Sequence, residues 1–315
     1  MNANVQQTSL QAFARRASLA YLLGMAWPAY VTSQQDTSPT RTPDVHFVPT
    51  DPKAVGIMLS AAKVGSKDVV YDLGCGDGRF VITAVKRHGA RGVCVDIDPV
   101  RIAESRQNAD TAGVARRITF HEGDLFEMDL SDATVVTLYL LPALNERLRP
   151  KLFRELRPGA RVVSNAFDMG DWEADSMLRM NPTSSFPAFG YLWVMPADVA
   201  GVWNVTVTGA GGTGARGERQ YEVRMDQRYQ QVKAAGTAGG RRVAVTDAML
   251  KGDRLGFAIQ DSGRDQTLRF AGRVTGDRAA GTVTGAGEKN ARWTAVRAER
   301  GPRPELEPEG ADEKD

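Results

Sequence analysis

Between Val69 and Phe80 an apolar, β-branched run breaks into three closely spaced glycines, reading Val-Val-Tyr-Asp-Leu-Gly-Cys-Gly-Asp-Gly-Arg-Phe. Glycine lets a chain turn sharply out of a strand and leaves room for a ligand against the main chain. A helical pattern follows from Phe80 to His88, closed by Gly89, and then a short apolar strand, Arg91 to Asp96. Asp98-Pro99 reads as a helix start, with a carboxylate cap and a proline in the first turn. A third strand, Ile118 to Glu122, leads into Gly123-Asp124-Leu125. Thr134 to Tyr139 and Arg161 to Ala166 are further buried strands, separated by a helix from Ala143 to Leu156 that Pro158-Gly159 ends. This alternation predicts an α/β fold, a Rossmann-like, mainly parallel sheet with helices on both faces. Asp51-Pro52 opens an additional helix through Ala62, and Tyr191 to Met195 supplies one more strand, expected at the sheet edge.

The glycine spacing is Gly-x-Gly-x-Gly. A dinucleotide fingerprint needs its third glycine where this chain has Arg79, which opposes a nicotinamide oxidoreductase. With Asp72 two residues before the first glycine, the loop resembles motif I of the class I S-adenosylmethionine (SAM) methyltransferases. That resemblance implies SAM as cofactor, bound by Asp72, Gly74, Cys75, Gly76 and Gly78. It assigns the ribose diol to Asp96, about 20 residues past the loop, because a carboxylate accepts from both hydroxyls. Asp124 matches the family position that accepts a hydrogen bond from the adenine amine, whereas Asp98 is explained as the helix cap.

Residues 46–172 resemble a narrower group, the small protein-lysine methyltransferases. These include mitochondrial enzymes acting on the c-ring protein of ATP synthase and the adenine nucleotide translocase, with archaeal and bacterial relatives. The segments that carry the likeness are Phe47-Val-Pro-Thr50, Asp72 to Arg79, Ala133 to Pro142, Leu148 to Leu152 and Pro158 to Ser164. Relatives often place a histidine after the fifth-strand serine, where this chain has Asn165. Methyltransferases of nucleobase amines usually carry Asp/Asn-Pro-Pro-aromatic after the fourth strand; here the sequence is Leu140-Leu141-Pro142, which favours an aliphatic amine. The acceptor-side candidates are Tyr139, Asn165, Asp168 and Trp172, with Phe167 as a further aromatic wall. Tyr139 and Trp172 are equally explained as core aromatics.

The pattern changes from Gly201 onward. Short alternating strands carry Trp203, Val205 and Val207; Tyr221, Val223 and Met225; Leu255, Phe257 and Ile259; Leu268, Phe270 and Val274. Turn signals at Gly211-Gly212, Gly239-Gly240 and Gly252-Asp253 separate them, and Gly276-Asp277-Arg278 repeats Gly252-Asp253-Arg254. The expected architecture is a small antiparallel all-β barrel or sandwich.

A net charge of +2 and the lack of an aromatic-basic stripe give no case for nucleic acid. The three histidines lack metal-ligand spacing, so no metal site is expected. Cys75 and Cys94 do not form a disulfide framework by spacing and read as small buried fillers. The first 35 residues contain no acid; Arg15-Arg16 precedes an apolar run, Ala17 to Val31, and Thr32-Ser33. This resembles a signal peptide or an N-terminal anchor. Export to the periplasm is the expectation. Because SAM is made in the cytoplasm, the alternatives are a membrane anchor facing that compartment and a cytoplasmic protein whose N-terminus is an amphipathic helix. The organisation read from the chain is therefore 1–33 signal or anchor, 34–44 linker, 45–196 methyltransferase domain, 197–299 β-rich domain and 300–315 acidic disordered tail. The function implied by the resemblance is SAM-dependent N-methylation of a protein lysine. A small-amine methyltransferase, or a non-catalytic exported binding protein with a remnant SAM domain, remain the alternatives.

Overall fold

Seven strands form one mixed sheet in the computed structural model, which describes residues 45–180, 189–209, 218–262, 265–285 and 288–303. The expected signal, linker and the Gly211-Gly212 turn lie outside the described residues. Helix α1 (Pro52–Ala61) starts where the Asp51 carboxylate accepts the Lys53 N–H, and it buries Val55, Met58 and Leu59. β1 (Val69–Leu73), α2 (Arg79–His88), β2 (Arg91–Asp96), α3 (Pro99–Thr111) and β3 (Ile118–Glu122) run outward on one side. β4 (Val135–Leu138), α4 (Pro142–Glu155) and β5 (Arg161–Asn165) run outward on the other. The strand order is β3-β2-β1-β4-β5, all parallel, so the direction of winding reverses between β1 and β4. Open α/β sheets bind ligands at the carboxyl ends of the strands beside that reversal.

Helix α2 shows why these residues choose their elements. Phe80, Val81, Ala84 and Val85 fall on one stripe and are buried, while Lys86, Arg87 and His88 occupy the last turn, where the helix dipole favours cations. Gly89, at φ 70°, ends it.

The sheet continues through β7 (Phe189–Val194) and ends at β6 (Ser176–Arg179), both antiparallel. The expectation that Tyr191 to Met195 forms the edge is thus corrected: β7 is interior, and β6 covers it. Ser-Met-Leu-Arg is short and mostly exposed, so it carries no burial signal to read.

The β-rich part is a closed eight-stranded barrel: β8 (Gly201–Thr208), β9 (Arg219–Arg228), β10 (Gln231–Ala238), β11 (Arg241–Lys251), β12 (Arg254–Asp261), β13 (Gln266–Thr275), β14 (Arg278–Gly285) and β15 (Glu288–Arg300). Each strand pairs with the next, and β15 returns to β8. Strand β9 shows the pleat, burying Tyr221, Val223, Met225 and Gln227 while its alternate residues face water. Phe257 and Phe270 stack at 4.5 Å inside, beside Trp293. Trp293 fits because Gly272 faces it; a Cβ there would sit 2.6 Å from the indole. Of the tail expected from residue 300, Arg300 closes β15 and the Arg303 guanidinium lies 3.1 Å from the Asp198 carboxylate, while residues 304–315 lie outside the described residues.

Barrel and sheet touch where the Gly252 turn meets Gly159 and Val194, and again at Tyr229. Tyr229, in the turn between β9 and β10, is buried among sheet-domain residues, 5.7 Å from Phe153 and 5.9 Å from Trp172 by ring centroids. Ending the chain at Pro196 is expected to leave a folded α/β unit, less stable than the full chain by about 2 kcal/mol for the lost ring burial. Circular dichroism and thermal melts of the truncated protein check this. An insoluble product would place sheet and barrel in one inseparable core.

Candidate functional site

The glycine loop is held by three backbone donors. Gly74 and Cys75 give their N–H groups to the Val95 carbonyl at 2.8 and 3.0 Å, and Gly76 gives its N–H to the Asp96 carboxylate at 2.8 Å. The other Asp96 oxygen accepts the Asp98 N–H at 3.0 Å. Gly74, Gly76 and Gly78 all have positive φ. At Gly76 a side chain is doubly excluded, since a Cβ would lie 2.2 Å from the Phe47 ring.

Beside this loop, at the carboxyl ends of β1, β2 and β4, lies a cleft of about 270 Å³. Asp72, Gly74, Cys75, Asp96, Asp124 and Tyr139 all line it, whereas Gly76 and Gly78 belong to the same loop without being among its lining residues. Asp72 is buried and takes a 2.6 Å hydrogen bond from the Thr137 hydroxyl. Desolvation, with the nearby Asp96 and Asp77 charges, pushes its carboxyl from 3.8 up to about 8. Burial also pushes the Asp96 carboxyl up, against the pull of the Asp98 and Gly76 N–H groups. Asp124 accepts the Phe126 N–H at 2.9 Å, which turns the chain after β3. Asp98 caps α3 through the Val100 N–H.

These residues fit SAM and not a dinucleotide. Asp72, Asp77, Asp96, Asp98 and Asp124 line the cleft, and its guanidiniums, Arg79 and Arg101, already pair with Asp77 and Glu104. A pyrophosphate here would meet like charges, whereas a sulfonium and an ammonium meet carboxylates. The Asp96 oxygens each accept one N–H and each retain a lone pair for a ribose hydroxyl.

The acceptor-side candidates part company. Tyr139 is at the cleft wall with Leu140 and Leu144, and Phe167 stacks 6.3 Å behind it. Asn165 is buried; its amide N–H donates to the Thr50 hydroxyl at 3.2 Å, Thr50 lines the cleft, and Asn165 Oδ1 has no partner among the described residues. Asp168 is exposed and its carboxylate accepts the Gly170 N–H. Trp172 lies away from the cleft, buried against Trp193, Phe153 and Tyr229, with its indole N–H on Gln230.

Sequence reasoning missed the strap formed by residues 45–50. Val45, His46, Phe47, Val48 and Thr50 line the cleft, Phe47 lies over Gly76, and the Arg101 guanidinium caps the Phe47 ring at 4.9 Å. The Phe-Val-Pro-Thr segment is visible as a family feature, but nothing in it signals a contact with a loop 29 residues later.

The cysteines are a correction. Cys75 and Cys94 are not independent fillers; they form a disulfide across a Cα separation of 5.3 Å. Parallel pairing sets Asp72 opposite Cys94, so the loop three residues on folds back over β2. Two cysteines 19 residues apart carry no spacing signature for that register. The bond ties the glycine loop to the strand that presents Asp96.

Residues 72–176 match the family model of the ANTKMT methyltransferase domain. The chain is 47% identical to a protein-lysine N-methyltransferase of Saccharolobus islandicus over 44% of this chain and 86% of that one. It is 31% identical to the Mus musculus lysine N-methyltransferase named for the C-type subunit of ATP synthase, over 54% and 71%. For the adenine nucleotide translocase lysine N-methyltransferase of the same species the identity is 32%, covering 41% of this chain and little over half, 56%, of that one. Among solved structures, an RNA methyltransferase from Salinibacter ruber with S-adenosyl-L-homocysteine is 51% identical over 47% of this chain and 93% of that chain, with a TM-score of 0.45.

The raised Asp72 pKa makes a pH prediction. The folded carboxyl is neutral until about pH 8, while the unfolded one ionises near 3.8. Its contribution to folding stability is therefore full below pH 3.8 and is lost as pH rises to about 8. A cationic cofactor prefers the ionised form, so SAM affinity should rise by up to about tenfold per pH unit toward that value. Denaturant melts and calorimetric titrations from about pH 6 to 8 should show opposite slopes. Both should flatten in Asp72→Asn.

Proposed function

Since the chain belongs to the family of the ANTKMT methyltransferase domain, we propose that it transfers the methyl group of SAM to the side-chain amine of a protein lysine. The cofactor supplies an electrophilic methyl carbon on a sulfonium. What the chain must add is position, because in-line displacement needs a lone pair about 3–3.5 Å from that carbon and little covalent chemistry. Asp96 would hold the ribose, Asp124 the adenine amine, and Asp72 with the glycine loop the charged amino-acid end. A lysine amine, with a reference pKa of about 10.4, is neutral in only about one molecule in 10³ at pH 7. The apolar wall of Tyr139, Leu140 and Leu144 disfavours the cation and so lowers that pKa. Asn165 Oδ1, buried without a partner next to Thr50, is a ready acceptor for the amine N–H.

The observation that carries this reading is an acid-rich cofactor cleft with one apolar wall. A nucleobase amine would need a polar, planar clamp where the chain has Leu140-Leu141-Pro142. Transfer from methyl-labelled SAM into a native lysate, read by mass spectrometry, should place the label on lysine. The rate should climb between about pH 7 and 9, tenfold per unit, as the neutral amine grows. Asn165→Ala should lower it without loss of SAM binding. Label on a carboxylate, a thiol or RNA would overturn the lysine assignment.

We also infer export. The basic-then-apolar N-terminus supports it, and so does the buried Cys75–Cys94 disulfide, a bond that persists in oxidising compartments. An alkaline phosphatase reporter fused after residue 44 should be active, since that enzyme matures only outside the cytoplasm. An inactive reporter would overturn export and leave the cytoplasmic and cytoplasm-facing readings.

A further inference from the structure

The barrel touches the methyltransferase part at a place that bears on catalysis. β5 ends at Asn165, at the carboxyl edge of the sheet, and the loop Phe167–Glu173 follows it. From the α4 side, Asn145 donates to the Asp168 carbonyl at 2.9 Å and Arg149 donates to the Met169 carbonyl at 2.8 Å. From the barrel side, the Tyr229 hydroxyl donates to the Asp171 carboxylate at 2.8 Å, and Arg228 pairs with the same carboxylate. Gln230 Oε1 accepts the Trp172 indole N–H at 2.9 Å, and its Nε2–H donates to the Glu173 carbonyl at 2.7 Å. Asp171 also takes the Arg149 guanidinium at 2.6 Å, so one carboxylate joins helix, loop and barrel.

Tyr229 sits at φ 54°, in the left-handed region, within the two-residue turn between β9 and β10. Such turns ordinarily use glycine or asparagine, and a bulky residue there carries a conformational cost. The cost is offset by burial of Tyr229, 5% exposed, with its ring stacked on Trp172 and tilted against Phe153. A strained residue held by a neighbouring element is the signature of a built-in contact rather than of a passive turn. The loop it grips begins at Phe167, whose ring stacks on the cleft residue Tyr139.

We propose that Tyr229 and Gln230 are positioning residues for the acceptor side: the β9–β10 turn fixes the loop 167–173 and, through Phe167, sets Tyr139 at the wall where the amine enters. This rests on the lysine reading above for the identity of the acceptor, and on geometry alone for the loop.

The test uses the full chain, with Tyr229→Ala, Tyr229→Phe and Gln230→Ala, and Arg269→Ala on the exposed Asp247 pair as control. Hydrogen exchange of peptides covering 166–173 should rise by roughly tenfold in Tyr229→Ala and Gln230→Ala, with residues 72–80 unchanged. Tyr229→Phe keeps the ring and should recover most of the protection. With poly-L-lysine as acceptor, KM should rise by about fivefold while calorimetric SAM affinity stays at the wild-type value. Unchanged exchange over 166–173 would overturn the proposal. So would a parallel loss of protection in the glycine loop and of SAM affinity, which marks general unfolding. Failure of the wild-type chain to methylate poly-L-lysine would instead count against the lysine reading, and the exchange measurement would still decide the role of the turn.

Discussion

The Asp96 carboxylate accepts the Gly76 N–H at 2.8 Å and the Asp98 N–H at 3.0 Å, and the cofactor cleft depends on that pair of bonds. A glycine loop has little to hold its shape, having no side chains to pack and the largest entropy to lose on ordering. Here the carboxylate from the next strand replaces the missing packing, and the Cys75–Cys94 bond ties the same loop to the same strand a second time. In the proposed reading the same Asp96 is presented, already oriented, to the ribose. Binding chemistry and loop stability converge on one side chain, so its substitution disturbs both.

Burial of carboxylates is costly unless a positive charge compensates. Asp72 has no cation in contact among the described residues, only the Thr137 hydroxyl, and responds by holding its proton to about pH 8. Asp77 and Arg79 solve the same problem by pairing, with the Arg79 guanidinium also reaching the Thr50 carbonyl. The cleft thus combines guanidiniums already paired with carboxylates and, in Asp72, a buried acid without a cation in contact. That asymmetry selects a cation over a phosphate, which agrees with SAM and with the family to which the chain belongs.

Much of this is legible in the chain because parallel strands fully buried by helices read as β-branched runs, and their acidic or glycine-rich ends are punctuation. Ile118 to Glu122 matches β3 residue for residue, and β5 stops one residue short of the expected Ala166. Asp98 as a cap and the Gly252-Asp253 and Gly276-Asp277 hairpins follow from local chemistry. What stays hidden depends on long-range register. β6 is too exposed to show a pattern, the disulfide depends on the pairing of β1 with β2, and barrel closure depends on β15 meeting β8. Trp172 illustrates the ambiguity of an aromatic after β5. Its position in sequence suits the acceptor wall and the core equally, and it is buried against Phe153, Trp193 and Tyr229, the last 57 residues away and announced by no local signal.

The Tyr229 contact changes how the two parts relate. The family model ends at residue 176, before the barrel begins, so the matched residues contain α4 and the 167–173 loop but not the turn that grips them. From its own side the loop is held at the Phe167, Asp168, Met169 and Trp172 carbonyls, by Asn145, Arg149 and Trp193, and at the Asp171 carboxylate by Arg149. The barrel adds a carboxylate contact, two amide contacts and a stacked ring. Methyl transfer draws its rate from alignment rather than from acid or base strength, so a fraction of an ångström at the acceptor wall matters more here than in a reaction with a strong general base. A packed barrel is a rigid body, and a rigid body is a suitable abutment for a loop that must not wander. The physical consequence is that the chain carries its acceptor geometry on residues outside the cofactor fold, and two chains with the same glycine loop and acids need not share a substrate.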